Sequence, residues 1–146
     1  MRYLSWLLLM TILTGCVVPQ KTEIPNKTPS YLSEIVADTT EELQLLYPPA
    51  KTRFVLLGND AFCKDLIQTL RSAGYSVNES RGNGITIGYV LDHPASGDVL
   101  IKLYIGDDVM LSRLYRLNPP GYEKKCFAVG AWSRRQMATN TDEGQQ

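Results

Sequence analysis

An α+β fold is what the sequence predicts: one mostly antiparallel β-sheet of about five to six strands with two helices on one face, after a signal peptide and a Pro-containing linker. Three observations carry this. Apolar residues recur at helical spacing up to Ala73, and beyond Gly84 they alternate with a period near two. Short Gly- and Asp-rich turns divide that second half into hairpin-sized runs. Finally, 146 residues with 44% apolar side chains suffice for a single modest domain. Basic and acidic side chains balance at 15 each, so bulk charge selects no partner.

The chain begins Met1-Arg2, followed by an apolar run from Tyr3 to Leu13 and then Thr14-Gly15-Cys16. A membrane-spanning helix needs about 20 apolar residues, and this run is roughly half as long, so it reads as a signal peptide over residues 1–15. Leu13-Thr14-Gly15-Cys16 resembles the bacterial lipobox. The resemblance implies cleavage between Gly15 and Cys16, with diacylglycerol and N-acyl chains on Cys16. Several acyl chains, each burying CH₂ groups at about 0.8 kcal/mol apiece, hold a protein to a membrane almost permanently, whereas one chain is marginal. Val17 in place of Asp after the lipidated Cys implies sorting to the outer membrane, with the folded body in the periplasm. Loss of residues 1–15 removes Arg2 alone among the charged residues, which leaves the mature chain near neutral.

Residues 16–29 comprise Cys16 and a linker, VVPQKTEIPNKTP, whose prolines and lack of period predict a semi-rigid extended chain. At about 3.1 Å per residue it reaches roughly 40 Å. The folded domain is expected over residues 30–135, and residues 136–146 read as a polar frayed tail.

Ser30 reads as the cap of a first helix in which Leu32, Ile35, Val36, Thr39, Leu43 and Leu46 form one stripe, stopped by Tyr47-Pro48-Pro49. Glu34, Asp38, Glu41 and Glu42 fall off that stripe and read as a solvated acidic face or, alternatively, a docking surface. Arg53 to Gly58 reads as a short buried strand. Asn59 or Asp60 then caps a second helix carrying Phe62, Leu66, Ile67, Leu70 and Ala73, with Gly74 at its end. Further strands are expected over Tyr75 to Glu79, Ile85 to Leu91, Asp98 to Ile105, Val109 to Leu117 and Cys126 to Ser133. Lys102, Ser112 and Arg116 interrupt otherwise apolar runs, as in strands with one wet face.

No constellation of catalytic residues emerges, and no enzyme activity is expected. The single histidine, His93, sits in a turn beside Pro94; Gly82-Asn83-Gly84 with Gly88 lacks both the spacing and the strand-to-helix context of a phosphate-binding loop. Asp107-Asp108 is turn chemistry rather than a metal site, so neither metal nor cofactor is expected. Cys63 and Cys126, both available in an oxidising periplasm, are either bridged, stapling helix to sheet, or two separate buried thiols. The stretch Met110 to Arg135 is locally basic, with Arg113, Arg116, Lys124, Lys125, Arg134 and Arg135 against Glu123. A sheet face meeting an acidic partner, or the acidic first helix, accounts for it better than nucleic acid. Tyr104, Tyr115 and Trp132 are candidate aromatic anchors for a protein partner, against the plainer reading as core.

Taken in order, Leu70-Arg71-Ser72-Ala73-Gly74-Tyr75-Ser76-Val77, Gly88-Tyr89-Val90-Leu91-Asp92, Leu111-Ser112-Arg113-Leu114-Tyr115 and Val129-Gly130-Ala131-Trp132-Ser133-Arg134-Arg135, following a lipobox, resemble the TrbH family of conjugal transfer lipoproteins. The resemblance spans about Phe54 to Arg135. It implies a subunit of the mating-pair-formation apparatus, a type IV secretion system that moves plasmid DNA between bacteria, with other envelope proteins of the channel as partners. It brings no catalytic residues and no small-molecule substrate. The competing expectation is a periplasmic assembly-factor or surface-exclusion lipoprotein outside the channel.

Overall fold

The computed structural model describes residues 29–94 and 97–137; the signal peptide, Gly15, Cys16 and most of the linker lie outside the described residues, as do residues 138–146. The first helix, α1, runs Ser30–Leu46 and buries Leu32, Ile35, Val36, Thr39, Thr40 and Leu43, the expected stripe widened by one threonine. Its cap position is Pro29, not Ser30, and no side chain caps it; the Ser33 hydroxyl instead donates to the Ser30 carbonyl at 2.9 Å. Tyr47 is forced into an extended conformation ahead of Pro48, which ends the helix. The Tyr75 hydroxyl donates to the freed Tyr47 carbonyl at 2.6 Å.

Strand β1 (Arg53–Leu56) leads into α2 (Ala61–Ser72), whose N-terminus is capped by Asp60 accepting from Cys63 N–H at 2.9 Å. At the other end Gly74, at φ 91°, allows the chain to turn so that Tyr75 N–H reaches the Leu70 carbonyl and Gly74 N–H reaches that of Arg71, both at 3.0 Å. This is a Schellman closure, and it delivers the chain directly into β2 (Ser76–Asn78). Strands β3 (Ile85–Asp92), β4 (Asp98–Ile105), β5 (Val109–Leu117) and β6 (Cys126–Gln136) follow among the described residues.

The six strands form one mixed sheet in the order β2-β1-β3-β4-β5-β6. The ladders β3–β4, β4–β5 and β5–β6 are antiparallel, whereas β1 runs parallel to both β2 and β3. The crossover through α2 makes β1 and β2 parallel, because a helix returns the chain to the same end of the sheet. The last strand is longer than the sequence suggested. Gln136 pairs with Val109 and Met137 N–H donates to the Asp108 carbonyl, so Arg134 to Gln136 extend the ladder and Gln136 is strand rather than tail. Polarity misleads there because β6 is an edge strand, where polar side chains cost nothing.

Both helices cover the same face of the sheet. Phe54, Leu56, Ile87, Val99, Ile101, Leu103, Ile105, Leu111 and Tyr115 pack against Ile35, Leu43, Phe62, Leu66 and Leu70 in one core. Among the described residues the opposite face carries no helix. A bulge interrupts β6, where Ser112 pairs with Ser133 and Leu114 with Val129, so that Arg113 alone faces the stretch Gly130–Trp132. Gly130, at φ 79°, supplies the left-handed turn this requires.

Candidate interaction surface

Strand alternation decides what each face of the sheet offers. On β5, Leu111, Arg113 and Tyr115 point toward the helices, and Met110, Ser112, Leu114 and Arg116 point away. An arginine aimed into the helix side needs a carboxylate, and Asp38 of α1 provides it: Arg113 Nη1 lies 2.8 Å from Oδ1 and 2.9 Å from Oδ2. The same carboxylate accepts from the Tyr115 hydroxyl. Burial and that bond push the Tyr115 phenol well above its usual value, so it stays a donor. The Arg113 guanidinium also sits 5.7 Å from the Trp132 ring centre, a cation–π arrangement.

One turn earlier on α1, Glu34 accepts from the backbone N–H groups of Lys125 and Cys126 at 2.8 and 3.1 Å, the first donors of β6. Burial works to raise this carboxyl, but the two N–H donors, the Cys126 thiol and Lys124 outweigh it and hold the carboxyl below its ordinary value. The Cys126 thiol is 3.5 Å from Glu34 Oε2 and 3.6 Å from the Tyr31 carbonyl. Burial, Glu34 and Asp38 together push it up to about 12. Glu34 and Asp38 are therefore not part of a solvated acidic face. They form the polar seam that fixes α1 to β5 and β6, and they take up part of the basic character of that half of the chain.

A second cluster went unread in the sequence. Tyr89 of β3 donates its hydroxyl to Asp60, the cap of α2, and stacks on Phe62 with ring centres 4.8 Å apart. Cys63 lies beneath, its thiol raised by burial and by Asp60. The staple left open between Cys63 and Cys126 is not made: both are free, buried thiols. The reason is topological, since Cys63 packs with Tyr89 on β3 while Cys126 starts the far edge strand, three places along the sheet.

The three aromatic candidates separate cleanly. Tyr115 is 2% exposed and belongs to the core and the seam, which removes it as a partner anchor. Trp132 is half-buried on the helix side against Arg113. Tyr104 is half-buried on the open face, paired with Met110 and Gly88.

That open face is ordered into rows by the register. Leu100, Leu114 and Val129 align across β4, β5 and β6; Tyr104 and Met110 form a second apolar pair, and Lys102 with Ser112 lies between the two rows. Phe127, beside Arg116, is 46% exposed and Val129 37%. Alternating apolar and polar rows on a sheet face that no described helix covers have the make-up of a protein-contact surface. Lys102, Ser112 and Arg116, which broke the pattern in the sequence, all lie on it. His93 is exposed with its ring 6.4 Å from that of Tyr31, and Asp107-Asp108 occupies the β4–β5 turn. Among the described residues no cluster of metal-ligating side chains occurs, and no helix is long and apolar enough to cross a membrane.

Among the described residues, then, one face of a small α+β body is sheathed by two helices and the other carries none. Residues 18–136 match the family described as Conjugal transfer protein TrbH, and the chain belongs to that family. This is a conjugal transfer family and not an enzyme family. No curated protein and no solved structure matches the chain.

Proposed function

We propose that the chain is a lipid-anchored outer-membrane subunit of a conjugative type IV secretion apparatus, held by acyl chains on Cys16 and acting through protein contacts in the periplasm. The observation that carries the contact role is the open sheet face, where Leu100, Leu114 and Val129 line up in register with no helix among the described residues over them. The family match supports the setting, and the lipobox-like Leu13-Thr14-Gly15-Cys16 supports the anchor. In this reading the helix side is scaffold: the Asp38–Arg113 seam holds α1 to the sheet while the other face meets a neighbouring envelope subunit of the channel. No substrate is turned over and no cofactor is held.

The test is plasmid transfer from a donor whose copy of the gene is deleted, restored in parallel with the wild type, Cys16→Ser and the open-face variant Val129→Asp. Transfer is expected to fall on deletion and to return with the wild type alone. Unchanged transfer on deletion, or full rescue by Cys16→Ser, would contradict the subunit role and the anchor respectively.

A further inference from the structure

At the corner of the sheet opposite β6, the connection Pro49–Lys51 after α1 and the starts of β1 and β2 enclose a cleft of about 480 Å³ lined by Lys51, Thr52, Arg53, Ser76, Asn83 and Gly84. Its volume is in the range of ligand-binding clefts. The lining holds two cations and no carboxylate. Neither Lys51 nor Arg53 has an ion pair or side-chain hydrogen bond among the described residues, in contrast with Arg71, Arg113 and Arg116, which all do. Part of the wall is bare backbone: a Cβ on Gly84, at φ 151°, would come within 2.9 Å of the Arg53 carbonyl oxygen. Hydroxyl and amide groups from Thr52, Ser76 and Asn83 add neutral hydrogen-bonding capacity beside the charges.

We propose that this cleft binds the paired carboxylates of an acidic peptide segment, and that its occupant is Asp142–Glu143 of the chain's own C-terminal stretch. The topology supplies the reach. The strand β6 ends at Gln136 on the same end of the sheet as the start of β1, because the antiparallel ladders from β3 to β6 bring those two ends together. Four strand intervals at about 4.8 Å separate β6 from β1, or roughly 19 Å. Six to seven extended residues, from Met137 to Asp142 and Glu143, reach roughly 20 to 23 Å at about 3.3 Å each. The charges also steer the segment. Asp107 and Asp108 stand at the β4–β5 turn beside the point where the tail leaves, so its carboxylates are repelled there, and beyond them lie the unpaired Lys51 and Arg53.

The experiment uses ¹⁵N-labelled full-length protein in detergent and compares its amide spectrum with those of Asp142→Asn/Glu143→Gln and Lys51→Glu/Arg53→Glu. The tail substitutions are expected to move the amides of Ser76, Asn83 and Gly84, far from the changed positions in sequence. The cleft substitutions should abolish that response, and combining them with Asp142→Lys/Glu143→Lys should restore it. About 1 M salt should reproduce the spectrum of the neutral tail, since charges are then screened beyond about 3 Å. Shifts confined to Arg134, Arg135 and the tail itself would overturn the proposal by showing that the acids pair with their own strand. Cleft shifts that vanish on dilution would overturn the intramolecular assignment in favour of a second copy's tail. All four substituted side chains are surface groups or lie in the tail, so a folding failure does not confuse the outcome.

Discussion

Arg113 and Asp38, 75 residues apart in the chain, face each other across the helix–sheet boundary with the guanidinium Nη1 within 2.9 Å of both carboxylate oxygens. The pair is only partly exposed, with side-chain exposures of 18% and 28%. Removing one partner therefore leaves a poorly solvated charge. Asp38→Ala is expected to cost about 2–3 kcal/mol, because it strands both Arg113 and the Tyr115 hydroxyl. Arg113→Leu combined with Asp38→Leu should cost less than the sum of the single changes. Urea unfolding of the four proteins of this cycle measures the coupling, and simple additivity would mean the seam does not hold α1 down.

Glu34 makes the same boundary sensitive to acid. Its carboxyl is held below its ordinary value in the folded chain, so its contribution is complete above the unfolded value of about 4.3 and is lost as pH falls through the lower folded one. Stability should therefore drop as pH falls below about 4.3 in the wild type, and Glu34→Gln should flatten that limb while lowering stability at pH 7. An unaltered acid limb in Glu34→Gln would show that other carboxylates cause it.

The thiols give a test at the alkaline end. Folding raises the Cys126 thiol to about 12, from an unfolded value of about 8.5, so its stabilising effect is present below that lower value and is lost as pH rises toward the higher one. Cys63 and Cys126 are both expected to resist a thiol reagent in the native protein and to react fully once it is unfolded without reductant. A native mass lower by two hydrogens would reveal a bridge and contradict the arrangement of α2 and β6.

Gly84 tests the geometry at the start of β3. A methyl group there would meet the Arg53 carbonyl oxygen at 2.9 Å and would sit at φ 151°. Gly84→Ala should destabilise by about 2 kcal/mol or more through backbone strain and displacement of β1, whereas Gly121→Ala, with open space around it, should cost less.

How much of this was legible in the sequence depends on whether a signal is local. Asp60 and Gly74 bracket α2 as the sequence indicates, since caps are short-range chemistry. Gly106-Asp107-Asp108 likewise marks the β4–β5 turn, and Lys102, Ser112 and Arg116 identify the wet face correctly. The parallel insertion of β1 between β2 and β3 was not legible, because strand order is fixed by the long crossover through α2. Glu34 and Asp38 flank the apolar stripe of α1 and so read as solvated, although Arg113 on Asp38 is the meeting of basic sheet and acidic first helix that the charge pattern suggested. The usable clue was on the other side of the seam: Arg113 alternates in phase with Leu111 and Tyr115, so it had to point inward and find an acid. The outward aim of Phe127 and Val129 was not legible because the bulge at Gly130 shifts the phase of β6 halfway along.

The central claim is that the open sheet face, and not the helix side, meets the transfer apparatus. Its most direct measurement is site-specific photo-cross-linking in mating donor cells, with the photoreactive residue placed at Tyr104 or Val129 on the open face and at Gln44 or Leu45 on exposed positions of α1. Cross-links from Tyr104 and Val129 to another envelope protein, with none from Gln44 or Leu45, are the predicted result. Cross-links from the α1 positions alone would contradict it and assign the contact to the helix side.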